Sequence, residues 1–120
     1  MTDRGALTIE AAFVIPVVLL VLLACFELAS LALTRIELVA AAREGARVAA
    51  TVADPSRAVA ATRAALDEPL NAIASVSVRR PKVSGRQAVV VVEVNRRLRT
   101  PLLDSIRVPI VVRAVMVVEP

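Results

Sequence analysis

The sequence of 120 residues contains no histidine, tryptophan or tyrosine, two phenylalanines, three glycines and a single cysteine, Cys25. Without imidazole the common catalytic triads cannot be built, and one thiol allows neither an internal disulfide nor a cysteine-based metal cluster. Acidic and hydroxyl residues are present, but no glycine-rich loop or strand end offers a recognisable nucleophile, base or phosphate cradle. The expectation is a protein that is not an enzyme, with no cofactor, no metal and no small-molecule substrate. Nucleic acid is an equally poor fit. The net charge of +4 comes from fifteen basic residues, every one but Lys82 an arginine, dispersed along a chain with almost no aromatic ring to stack on a base.

What the chain has in abundance is apolar surface, 58% of its residues. Residues 11–26 carry no charge, and after Glu27 the apolar character continues through "LASLALT" to Arg35. A helix over Ala11 to Thr34 is about 36 Å long, enough to cross a hydrocarbon core of about 30 Å, so membrane lipid is the first expected partner. Strong helix formers run on through "RIELVAAAREGARVAATVA" with no proline before Pro55. Asp54-Pro55 signals a stop and restart, an N-cap residue followed by one suited to the first helical turn.

Beyond that point "PSRAVAATRAALD" reads as a short second helix interrupted at Pro69. The pattern then changes to the Val- and Ile-rich runs "SVSV", "QAVVVVEV" and "IRVPIVVRAVMVVE", the last placing Ile106, Val108, Ile110, Val112, Ala114, Met116 and Val118 on one side. Ser84-Gly85 supplies a tight turn between the first two. The fold expected is α+β: a long N-terminal transmembrane helix over 6–53, extending into a small head, 54–120, of one short helix and a roughly three-stranded antiparallel sheet. Such short strands make a marginal core that depends on partners.

Several helix residues stand out. A carboxylate inside a bilayer costs about 2.5 to 3.5 kcal/mol on insertion scales, so Glu10 is expected to face a partner or polar cavity; at headgroup level it would instead favour the helix N-terminus. Glu27 follows seventeen residues later, about 100° around and about 25 Å along the helix, too far to form one catalytic pair with Glu10. With Ser30, Thr34, Glu37 and Glu44 it lies on one stripe, and it either packs between helices or snorkels to the headgroups. Ala42, Gly45, Ala46 and Ala49 form a face of small residues on which a second backbone can approach closely, or simply a good alanine-rich helix. Pro16 bends the helix for packing or reflects the frequency of proline in membrane helices.

The N-terminal run "RG" followed by "ALTIE" resembles the processing site of class III signal peptides in type IV prepilins and pseudopilins. With "AFVIP" and "ELASLALTRIELVAAAREGAR" it resembles the TadE-like proteins, pseudopilins of tight-adherence pilus systems, over about the first fifty residues. The resemblance implies a leader, residues 1–5, removed by a prepilin peptidase that cuts after Gly5 and leaves Ala6 as the new N-terminus. It implies that Glu10 pairs with the Ala6 amine of a neighbouring subunit, so that other pilins or pseudopilins are partners and the function is pilus assembly. It also implies a bacterial cell membrane location with the N-terminus cytoplasmic and the head extracytoplasmic. The major pilins usually have tyrosine after the glutamate and little chain beyond the helix; Ala11 and the head point to a minor component.

Two other readings compete. "LLAC", Leu22 to Cys25, resembles a lipobox, but Leu23 is bulky, Glu10 interrupts the apolar run, and the sequence stays helical after Cys25. An uncleaved single-span accessory or scaffolding protein is the other. Arg4 alone precedes the span while Arg35, Arg43 and Arg47 follow it, so positive-inside counting puts the head in the cytoplasm, the reverse of what the prepilin resemblance implies.

Overall fold

The computed structural model describes residues 2–98 and 105–120. Its first helix, α1 (Thr2–Thr51), runs unbroken through Pro16 and is followed by α2 (Pro55–Ala64), α3 (Glu68–Ile73), β1 (Ala74–Arg79), β2 (Gln87–Arg97) and β3 (Arg107–Val117). The α+β layout is as expected, and the molecule is drawn out to 82 × 23 × 17 Å because α1 projects far beyond the head.

Local chemistry sets the boundaries. Asp54 caps α2, its carboxylate accepting from the Ser56 N–H at 3.0 Å, with Pro55 in the first turn. Hydrogen bonding from Ser56, first from its side chain and then from its backbone N–H, holds the Asp54 pKa below the ordinary carboxylate value. A lowered folded-state pKa means that the cap stabilises fully above the ordinary carboxylate range and is lost as pH falls through the lowered value. The sequence predicts one short helix, whereas there are two. Pro69 does not merely interrupt α2; it sits in the first turn of α3, where its missing N–H has no intrahelical acceptor to lose. The last turn of α1 is closed from outside: Arg80 Nε donates to the Ala49 carbonyl at 2.6 Å and the Glu119 N–H to the Ala50 carbonyl at 3.0 Å.

The sheet has the order β1-β2-β3, antiparallel throughout, with Ala74 opposite Val94 and Val90 opposite Ala114. Period-two alternation places Ala88, Val90, Val92 and Val94 of β2 in the core with Ile110 and Val112 of β3. The side expected of β3 is the buried side along its middle, while Ile106 and Met116 near its ends are exposed. Gly85, at φ +85°, takes the left-handed conformation that the turn before β2 needs. Of the basic connection "NRRLRTPLLDS", Asn95 to Arg97 extend β2, and residues 99–104 lie outside the described residues.

The core lies between this sheet and the second half of α1. Leu38, Ala41, Ala42 and Ala46 pack with Leu66, Val90, Val92 and Val94, and Ala49 packs with Ala58, Ala88 and Val118. The head therefore covers α1 from Glu27 onward, and this shifts the span. The sequence places it at 11–34, but Glu27 and Thr34 are buried by the head, whereas residues 4–26 are all exposed. Ala6 to Phe26 is about 31 Å of helix, so the length needed to cross a bilayer ends where the head begins.

Candidate assembly surface

The free half of α1 has the composition and length of a membrane-crossing helix, with a mean hydropathy of 2.7 over its most apolar window and none of that window buried. Glu10 is exposed on it and makes no ion pair or hydrogen bond among the described residues. Gly5 lies five residues, about 1.4 turns, earlier. A Cβ built there meets nothing within 4 Å, so the packing of this chain gives no reason for glycine at that position. Ala6 and Glu10 are four residues apart and share a face of the helix. Cys25 is exposed in the same continuous helix.

At the base of the head, α1 and β2 are clamped together. Arg96, near the end of β2, donates from Nη1 to the Ser30 carbonyl at 2.8 Å and to Thr34 Oγ1, and from Nη2 to Ser30 Oγ at 2.6 Å. Thr34 Oγ1 also donates to the Ser30 carbonyl at 3.1 Å. One guanidinium thus spans a turn of helix, and Glu27 is 7% exposed one turn below. The polar stripe divides accordingly. Glu27, Ser30 and Thr34 belong to this joint between span and head, Glu37 is exposed, and Glu44 pairs with Arg47 at 2.6 Å. That pair lowers the Glu44 pKa through the hydrogen bond from Arg47. Arg96 lies in a stretch that the sequence marks only as polar and basic; one arginine among the three of "NRRLR" gave no sign of which helix turn it would meet.

The small-residue face is occupied within the chain. Ala42, Ala46 and Ala49 are buried, and a Cβ on Gly45 would lie 1.9 Å from Thr62 Oγ1, 3.2 Å from Thr62 Cβ and 3.3 Å from Val90 Cγ1. The close approach that the small residues permit is therefore made by α2 and β2 of the same chain. The side of α1 turned away from the sheet is what stays open. Ala29, Leu33, Ile36 and Ala40, at spacings of four, three and four, form one stripe, with Leu33 and Ile36 each 64% exposed on a helix that is otherwise half-covered. Sequence reasoning missed this stripe because in "LASLALTRIELVAAA" every face carries apolar residues, and only the position of the sheet tells the free side from the buried one.

These features define a class: a protein with one candidate membrane-spanning helix, carrying a small α+β head on the second half of that helix. Residues 5–47 match the family model described as TadE-like protein, the family that the N-terminal sequence resembles. The matched segment takes in Gly5, Glu10, nearly all of the free half of α1 and most of the part under the head. No curated protein and no solved structure matches the chain.

Proposed function

We propose that this protein is a minor pilin or pseudopilin that takes part in assembly of a tight-adherence, type IV-like pilus, a structural and not a catalytic role. It is inserted by the free half of α1, cleaved after Gly5 by a prepilin peptidase, and oriented with its N-terminus cytoplasmic and its head extracytoplasmic. The observation that carries the reading is the placement of Glu10. It lies in a fully exposed apolar helix matched by the TadE-like family, one turn beyond the proposed new N-terminus, with no partner in its own chain among the described residues.

Cleavage places an amine on Ala6 with an ordinary pKa near 8, largely cationic at neutral pH. An amine and a carboxylate brought together in a low-dielectric layer attract far more strongly than in water, and pairing between subunits relieves the cost of holding Glu10 in the bilayer. The apolar stripe Ala29, Leu33, Ile36 and Ala40 extends the same helix contact above the membrane, in line with the exposed span below it.

Leu33→Lys with Ile36→Lys tests the stripe without touching the core. The double variant is expected to insert and fold as the native chain does, and to lose co-purification with other pilins of its system in mild detergent. Undiminished recovery of those partners would remove the stripe from the assembly surface.

A further inference from the structure

The long edge of the sheet is open, and the helix beside it is patterned to receive a strand. β3 pairs with β2 on one side and with nothing among the described residues on the other. Its direction of pairing can be read from its ends. The Val118 N–H donates to the Arg86 carbonyl at 2.8 Å, the Val118 carbonyl accepts from Gly85, and the Ile106 carbonyl accepts from Leu98. The even-numbered residues of β3 thus turn their backbone groups to β2, and Arg107, Pro109, Val111, Arg113, Val115 and Val117 turn theirs outward. Pro109 sits at an outward position, where a missing N–H costs no bond to β2. From Val111 to Val117 four residues present unpaired N–H and C=O groups, enough to hold an added strand of about seven residues.

Beneath that edge a groove runs between β3 and α1. Its lower part is lined by Leu31, Ala32 and Arg35 against Val108 to Val111, and its upper part by Arg35, Val39 and Arg43 against Val111 to Val115. Arg35, Val39 and Arg43 stand four residues apart, about 6 Å per step along the helix axis. Alternate side chains of a strand advance by about 6.6 Å. A strand added to β3 would therefore set three successive groove-facing side chains over a guanidinium, a valine and a second guanidinium. Neither Arg35 nor Arg43 makes an ion pair or side-chain hydrogen bond among the described residues, and Arg113 adds a third positive charge on the outer face.

We propose that the edge of β3 accepts an extended segment of another protein as a fourth strand, and that this segment carries acidic, apolar and acidic residues at alternate positions. A second copy of this chain does not supply it: no two of its eleven carboxylates stand four residues apart, and β3 against β3 would bring the same arginines together. Nor does a lipid surface fit the whole site, because Arg43 is sixteen residues, about 24 Å, beyond the end of the span at Glu27. This docking is separate from the helix-mediated assembly proposed above, since it uses the edge of β3 and the flank of α1 beside it, and none of Gly5, Glu10, Leu33 or Ile36.

The test uses the full chain in neutral detergent and a fluorescent nonapeptide with Glu, Val and Glu at its third, fifth and seventh positions and Thr elsewhere. Fluorescence anisotropy is expected to show saturable binding that weakens at least tenfold with Arg35→Glu plus Arg43→Glu, and at least tenfold for a peptide bearing Lys in place of both Glu. Val111→Pro, which removes an outward N–H, is expected to weaken binding likewise while β2 amides keep their protection from hydrogen exchange. Equal binding of the Lys peptide, binding unchanged in the arginine double variant, or no binding of the acidic peptide at millimolar concentration would each overturn the proposal. So would cross-linking of two copies through β3, or arginine-dependent capture of anionic vesicles that is indifferent to Val111→Pro.

Discussion

Glu10→Ala is expected to leave membrane insertion and removal of residues 1–5 intact and to reduce recovery of partner pilins by roughly thirtyfold or more. Insertion does not suffer, because deleting a carboxylate from the span removes a cost of about 2.5 to 3.5 kcal/mol on insertion scales. The proposed cleavage is at Gly5, where a Cβ would meet nothing within 4 Å, so a change at Glu10 leaves it untouched. Association suffers because a buried charge pair that loses one member typically forfeits about 2 kcal/mol or more, each 1.4 kcal/mol being about tenfold in affinity. The measurement is quantitative co-purification of the tagged full chain, with intact mass confirming that the variant is processed. Glu10→Gln separates charge from shape and should fall nearly as far as alanine. Native-level recovery with Glu10→Ala would show that the carboxylate is not an assembly contact.

Gly45→Ala is expected to destabilise the head by about 2 kcal/mol, although alanine is the better helix former by about 1 kcal/mol at an unencumbered position. The new methyl would lie 1.9 Å from Thr62 Oγ1. Thr62 cannot swing away cheaply, since it is β-branched, fully buried and donates from Oγ1 to the Ala58 carbonyl at 2.8 Å. With Val90 Cγ1 also within 3.3 Å, α2 must move off α1. For a domain of this size the midpoint of thermal unfolding, followed by the strand signal in circular dichroism, should fall by roughly 10 °C. Thr62→Ala removes the colliding atom, so the double variant should recover at least half of the loss. This coupling is the mark of a direct clash. A stabilised Gly45→Ala head would mean that the small-residue face is not closed against α2.

That face shows what the sequence can and cannot specify. Small residues at three- and four-residue spacing leave room for a close approach; they do not state whether what fills it belongs to the same chain, as Thr62 and Val90 do at Gly45. The β-strands were more legible, because Val- and Ile-rich runs mark them and the alternation in β3 carries its buried side in its own period. Asp54-Pro55 was equally clear, since capping is local chemistry. Pro69 was misread for the opposite reason: a proline ends one helix and begins another by the same loss of an N–H, and only the following turn decides which. The span was drawn on toward the head, because Leu28 to Leu33 are as apolar as a membrane helix and only the head, folded back from later in the chain, shows that one side of the helix is covered there, at Glu27 and Thr34. Glu10 and Gly5 remain legible from the N-terminal motif alone, which the head does not touch.

The central claim is that the free half of α1 is a processed assembly helix with Ala6 at its start. Intact-mass analysis of the membrane-extracted protein, with and without the prepilin peptidase, tests it most directly. The account predicts a chain that begins at Ala6 when the peptidase is present and at Met1 when it is absent. A chain that keeps Met1 to Gly5 in both, or one that begins at an acylated Cys25, would contradict it.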